Sequence, residues 1–171
     1  FDKKKINYRI GFLFEYVNWY KLIKKNLQSK GKNDISIEWN IKNNLNNLRS
    51  WKYDYKQGGG LLRYYGIHFI KLFSDLNLKK IKKNEFKKNS WIFEGYDNKE
   101  NFIKLTLRYS KLSNFSYKIN KSKVKKLKSP YKYKIDHKLI DPRCFFLKKY
   151  INKNLFRYVN HFSNLKNFIS L

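Results

Sequence analysis

The sequence predicts an α+β fold: a small sheet packed with amphipathic helices and carrying basic loops or extensions. Three observations predict it. Leu13, Val17, Tyr20, Ile23 and Leu27 recur at helical spacing. Ile35, Ile37, Trp39 and Ile41 alternate with Ser36, Glu38, Asn40 and Lys42, and Ile103, Leu105, Leu107 and Tyr109 alternate with Lys104, Thr106 and Arg108, the period of half-buried strands. In 171 residues, 42% apolar and 19% aromatic, there is enough material for a real core. We therefore expect residues 1–171 to form a single α+β unit. A subdivision into an N-terminal helix–strand region, 1–57, and a C-terminal strand–helix region, 67–171, is the alternative.

Taken in order, the helical spacing is firm after Tyr20, and the part before Trp19 fits an extended reading equally well. Gly31 stops the helix and Asn33-Asp34 turns the chain into the first strand. Asn43 to Asn47 reads as a surface connection leading to the aromatic cluster Trp51, Tyr53 and Tyr55. Gly58-Gly59-Gly60 fits either a tightly turning loop or a nest of backbone amides around a phosphate. No Walker pattern accompanies it. His68 to Leu78 fits a short helix, and Lys79 to Lys88 an exposed lysine-rich segment. Trp91 to Phe93 and Phe102 to Tyr109 read as strands joined by the polar loop Asp97 to Asn101. Tyr131, Tyr133 and Ile135 alternate with Lys132 and Lys134, a further strand pattern. Asp141-Pro142 is a helix start, followed by an amphipathic pattern through Phe162.

Charge dominates the surface. Forty bases against twelve acids give a formal net charge of +28. The basic internal segment 118–134 packs eight lysines and two tyrosines into 17 residues, and no acid occurs between Glu100 and Asp136. That pattern predicts a path for phosphates. Lysine outnumbers arginine 34 to 6, alanine and methionine are absent, and threonine occurs once. Such a composition follows AT-rich coding and points to a protein encoded and used in a mitochondrion. The single cysteine, Cys144, excludes an internal disulfide and a cysteine-based zinc site. With no apolar run of 18 residues, no transmembrane span is expected.

Candidate catalytic residues are sparse. His68, His137 and His161 are far apart and make no metal-binding pair. Cys144 stands beside Phe145 and Phe146, a setting for a small buried side chain, and Glu38, Asp54 and Asp75 form no recognisable motif. The sequence therefore predicts no enzyme, no metal, no cofactor and no small-molecule substrate.

Ile6 to Tyr20 (INYRIGFLFEYVNWY) is similar to the opening of the small-subunit ribosomal protein three family: Arg9-Ile10-Gly11 and Trp19-Tyr20 match its R-L-G-I turn and W-Y pair. Lys21 to Glu38 resembles that family's first helix and its I-x-I-E strand. The resemblance covers about the first 40 residues. The family's G-x-x-G loop has no correctly spaced counterpart among Gly58 to Gly60 and Gly66. Lys128-Ser129-Pro130 and His137-Lys138-Leu139-Ile140-Asp141 resemble elements of small-subunit ribosomal protein ten, and Phe102 to Tyr133 can be set against protein eight.

These resemblances imply a structural constituent of the mitochondrial ribosome, partnered by rRNA and neighbouring ribosomal proteins. A matrix-side accessory subunit of a membrane complex is the alternative. The residues expected to hold RNA are Arg9, Arg63, Lys104, Arg108, Lys118, Lys121, Lys123, Lys125, Lys126, Lys128, Lys132 and Lys134 through phosphates, with Tyr131 and Tyr133 stacking on bases or packing on the core.

Overall fold

Apolar alternation in four neighbouring strands builds one greasy sheet face, and the helices lie on it. The computed structural model describes residues 12–42, 51–131, 133–135 and 138–140. A 3-10 turn, Leu13–Tyr16, leads into α1 (Asn18–Gln28) and β1 (Asp34–Lys42). Two further 3-10 turns, Trp51–Tyr53 and Tyr55–Gln57, precede a π-helical segment, Leu61–Gly66, that runs straight into α2 (Ile67–Asp75). Then come β2 (Lys80–Lys87), β3 (Ser90–Tyr96), β4 (Phe102–Ser110), β5 (Asn114–Ile119) and β6 (Lys125–Leu127). A separate hairpin pairs β7 (Tyr133–Ile135) with β8 (Lys138–Ile140).

The main sheet has the order β2-β3-β4-β1-β5-β6. Its central pair, β1 and β4, is parallel, from Asp34 opposite Phe102 to Lys42 opposite Ser110; the other pairs are antiparallel. On the covered face Phe93, Leu105, Ile37 and Tyr117 stand in one row, and Trp91, Leu107, Trp39 and Phe115 in the next. Against them pack Trp19, Tyr20, Ile23 and Leu27 of α1 and Phe69, Leu72 and Phe73 of α2. The ring of Phe14 is a hub, 5.0 Å from Trp19, 5.3 Å from Phe69 and 5.2 Å from Tyr131. Phe73 stacks on Phe93 at 4.3 Å. Burying each such side chain contributes on the order of 2–3 kcal/mol, which makes this face the main source of stability.

The α+β expectation holds, as do the helix after Tyr20, the first strand, the short helix near His68 and the two strands joined by Asp97 to Asn101. That last turn is a buried polar knot. Asn101 accepts from the backbone N–H of Asn33 at 2.8 Å and donates to Leu27 O at 3.1 Å and to the Asp97 carboxylate at 2.8 Å. Two expectations change. Lys79 to Lys88 is exposed, yet it forms edge strand β2, whose lysines discourage further strand pairing. Asn114–Ile119 adds a strand, β5, where the basic segment is expected to begin as a loop or extension at Lys118. The helix expected after Asp141-Pro142 lies outside the described residues, with His137, Cys144 and His161.

Candidate functional site

The second face of the sheet carries mostly polar side chains, with Ile92 among them. In register across it run Ser90, Arg108, Asn40 and Asn114; then Ile92, Thr106, Glu38, Ser116 and Lys126; then Glu94, Lys104, Ser36 and Lys118. The alternation that buries Ile35, Ile37 and Trp39 forces Ser36, Glu38 and Asn40 to the other side. Four of these residues close a network. Arg108 Nε donates to Asn40 Oδ1 and its Nη2 to Glu38 Oε1, each at 2.5 Å. Asn40 Nδ2 donates to Asn114 Oδ1 at 2.7 Å and to Glu38 Oε1 at 3.1 Å. One row away, Lys104 pairs with Glu94 at 2.9 Å, and that hydrogen bond is the main reason the Glu94 carboxyl lies below its ordinary range. The result is a fixed set of donors and acceptors across β4, β1 and β5, with Asn40 buried at its centre and Arg108 and Asn114 exposed around it.

A second polar group sits between the helices. Lys71, 4% exposed, pairs with Asp75 one helical turn on, and with Glu15 at 3.6 Å. Asp75 also meets Lys24 at 3.5 Å and accepts from the Tyr20 hydroxyl at 3.4 Å. Burial, reinforced by the charge of Asp75, pushes the Tyr20 hydroxyl far above its usual range. Two carboxylates answer two ammonium groups, so this is a balanced pin joining the 3-10 turn, α1 and α2. Among the described residues there is no cluster of three or more His, Cys, Asp and Glu able to hold a metal ion.

The residues expected to bind phosphates are scattered. Lys104, Arg108, Lys118 and Lys126 share the open face, and the first two are already engaged by carboxylates. Lys125 projects on the opposite side of β6, beside Tyr117, and lines a shallow cavity with Leu22, Asn26 and Ile119. Lys121, Lys123 and Lys128 are exposed in the turns flanking β6. Arg63 stacks on the Tyr55 ring at 4.0 Å and donates to Tyr55 O at 3.0 Å. Tyr133 and Lys134 lie on β7, while Arg9 and Lys132 fall outside the described residues. Tyr131 takes the packing alternative: its ring meets Phe14, Trp39 and His68, and burial raises its hydroxyl pKa. Sequence reasoning missed Asn40 and Asn114 and left Glu38 without a role, because the signal is strand register, which spans 74 residues between Asn40 and Asn114.

The glycine run takes the loop reading. The N–H groups of Gly58, Gly59 and Gly60 donate to the carbonyls of Tyr55, Asp54 and Lys52 at 3.2, 2.8 and 2.8 Å. Gly58 and Gly60 have φ of 84° and 92°, and a Cβ on Gly59 would stand 2.0 Å from Trp51 O. All three amides are spent within the turn, so they do not form a phosphate nest.

Neither a protein-family model nor a curated protein matches the sequence. Solved structures do match the fold. The scyllo-inositol dehydrogenase of Lactobacillus casei, solved with NAD(H) and scyllo-inositol, has 10% identity and a TM-score of 0.57 over 96% of this chain and 60% of its own. A myo-inositol dehydrogenase of Corynebacterium glutamicum has 11% identity and a TM-score of 0.55 over 91% and 57%. The WlbA dehydrogenase of Thermus thermophilus, solved with NAD and alpha-ketoglutarate, has 16% identity and a TM-score of 0.53 over 68% and 42%. This chain thus spans less than two thirds of each of those three proteins.

These likenesses correct the ribosomal reading. The architecture is one found in dehydrogenases rather than that of small-subunit proteins three, ten or eight. The expected ribosomal role, the rRNA and ribosomal-protein partners, the exclusion of a small-molecule substrate and the exclusion of an enzyme fall with it. The membrane-complex alternative gains nothing from the comparison. Physical reasons accompany the correction. Trp19 and Tyr20, which carried the resemblance, are core residues whose pairing reflects packing under α2, and Arg9-Ile10-Gly11 lies outside the described residues. Among the described residues, no helix is long and apolar enough to cross a membrane.

The described residues do not fit a dinucleotide. Such a cofactor needs a strand, a glycine turn and a helix whose first amides face the pyrophosphate. Here α1 is entered from a 3-10 turn and α2 from a π-helical segment, and the amides of the one glycine run are consumed internally. What the chain shares with these NAD-binding dehydrogenases is a sheet-and-helix architecture, over 42–60% of their length.

Proposed function

We propose that this chain is the substrate-side sheet of an oxidoreductase acting on a polyhydroxylated small molecule, with Glu38, Arg108 and Asn114 orienting the substrate's hydroxyl groups and the buried Asn40 holding those three in place. The observation that carries this reading is the architecture shared with the inositol dehydrogenases, over nearly the whole of this chain. The chemistry of the open face supports it. Each hydroxyl of a cyclitol or sugar both donates and accepts. The network offers a carboxylate that accepts, a guanidinium that donates and the exposed Asn114 amide that does both. Its members already hold one another, so the ligand meets groups whose ordering entropy is largely spent. The dinucleotide would be held by residues other than those described. The AT-driven composition keeps a mitochondrion as the proposed compartment, and one α+β unit as the proposed organisation.

Saturation-transfer NMR with scyllo-inositol, with and without NADH, tests the reading. Saturable transfer is expected for the wild-type chain. Arg108→Gln and Glu38→Gln should each weaken binding by about tenfold, the cost of one lost charge-assisted hydrogen bond. Absence of saturable transfer, or wild-type affinity retained in both variants, would overturn it.

A further inference from the structure

Among the described residues three large aromatic side chains stand out in solvent: Phe86 on the edge strand β2, and the pair Trp51 and Tyr55. Trp19, Trp39 and Trp91 are 2%, 4% and 5% exposed, whereas Trp51 is 49% exposed and Tyr55 59%. Both belong to the short turns that follow β1, in the sequence that crosses from β1 toward α2. Exposed rings of that size lose hydration free energy without compensation from the core, so their retention in an ordered place asks for a reason.

The place is ordered. The Trp51 ring meets Tyr64 edge-on at 5.2 Å, Tyr64 meets Tyr65 at 4.7 Å, and Tyr65 meets the buried Trp39 at 5.3 Å. Tyr53 reaches Tyr109 at 6.0 Å. A ladder of rings therefore roots the exposed pair in the core beside the last residues of β1 and β4. Below it, burial pushes the Tyr109 hydroxyl up to about 12. The glycine turn stitches the segment together through the three amide bonds described above, and Asp54 caps it by accepting from the Lys56 N–H at 2.9 Å.

Two cations lie over rings of this segment. The Arg63 guanidinium lies 4.0 Å from the Tyr55 ring centre, and Lys52 Nζ lies 5.5 Å from that of Tyr64. Arg63 spends one N–H on Tyr55 O, and the rest of its fork has no partner among the described residues. Neither cation has an ion pair with a carboxylate among the described residues. A ring face carries negative quadrupolar charge and attracts the positive C–H edge of a saturated ring. A guanidinium fork matches a carboxylate or a phosphate. One ligand class uses both features at once.

We propose that Trp51, Tyr55, Arg63 and Lys52 form a binding shelf for an anionic sugar, a six-membered polyhydroxylated ring whose carbon skeleton lies on the exposed aromatic rings and whose carboxylate or phosphate meets Arg63 and Lys52. The shelf is separate from the Glu38–Arg108 row, which lies on the open face of the sheet, and it extends the polyol reading to ligands that carry charge.

Tryptophan fluorescence tests it, because Trp51 is the exposed indole and its emission lies to the red of the three buried ones. The chain is titrated with glucuronate, glucose 6-phosphate and glucose, as wild type and as Trp51→Phe and Arg63→Gln, with circular dichroism confirming that the variants fold. The expected result is a saturable blue shift with either anionic sugar, binding about tenfold weaker for glucose and for Arg63→Gln, and no shift in Trp51→Phe. No saturable change with either anion, an undiminished change in Trp51→Phe, or equal affinity for glucose would overturn the shelf. The scyllo-inositol NMR titration on Trp51→Phe separates the two proposals. Transfer retained there with no Trp51 response in the wild type defeats the shelf alone; a Trp51 response without inositol transfer defeats the open-face reading alone.

Discussion

The two faces of β1 are built from one alternating run of residues and do opposite work. Ile35, Ile37, Trp39 and Ile41 meet α1 and α2 in a packed layer of rings and branched chains. Ser36, Glu38 and Asn40, interleaved with them, lie on the other face, where Glu38 and Asn40 bond sideways to Arg108 of β4 and Asn114 of β5. Each strand therefore anchors the fold on one side and presents fixed polar groups on the other. The contrast teaches that coverage, more than polarity, decides what a residue contributes to stability, and it leaves the exposed polar groups as the ones within reach of a ligand.

The largest effect that sharpens this contrast is Phe73→Ala. It removes the ring stacked on Phe93 and leaves a cavity under α2, at a cost of about 3–5 kcal/mol, read as a lowered urea midpoint. A loss below about 1 kcal/mol would break the claim that the covered face carries the stability.

His68 gives a pH-dependent version. It packs among the rings of Phe12, Phe14 and Tyr131, its Nδ1 has no hydrogen-bond partner among the described residues, and burial pushes its pKa down to about 4. In the unfolded chain the imidazole takes up a proton as pH falls through about 6.5, while the folded one stays neutral until about 4. Protons therefore favour unfolding in that window: the contribution is complete above it and declines by about 3 kcal/mol across it. Denaturation at several pH values should show this decline in the wild type relative to His68→Phe. Parallel profiles would remove His68 from the covered layer.

Asn101 tests whether polarity alone matters. It is polar yet fully buried, and Asn101→Ala leaves the Leu27 carbonyl and the Asn33 N–H without their partner. The expected loss is about 1–3 kcal/mol by chemical denaturation. The smallest effect belongs to the open face. Arg108→Gln removes an exposed ion pair with Glu38 and should lower stability by less than about 1 kcal/mol. Should Arg108→Gln destabilise as much as Asn101→Ala, the open face would count as part of the structural core.

Local elements were readable from residue patterns because each depends on near neighbours. The α+β class, α1, β1, β3, β4 and the Asp97 to Asn101 turn follow from periodicity and turn chemistry. What no pattern conveyed is pairing. Asn40 and Asn114 meet because β5 lies antiparallel beside β1, and Arg108 reaches Glu38 because β4 lies parallel on the other side. Lysine density misled for a related reason. The engaged cations Lys104 and Arg108 look in sequence like all the others, because which cation meets a carboxylate depends on strand register. Tyr131 shows the limit most plainly. It stands in the most basic stretch of the chain and packs on Phe14 and Trp39.

The most direct test of the open face as a ligand surface reads the side-chain N–H groups themselves. In a ¹⁵N-labelled chain, the Nε resonance of Arg108 and the Nδ2 resonance of Asn114 report the open face, and the Nδ2 resonances of Asn33 and Asn101 report the buried knot. Adding scyllo-inositol should shift the first pair progressively to saturation and leave the second pair in place. Shifts in neither pair, or equal shifts in both, would contradict the assignment of the open sheet face as the substrate surface.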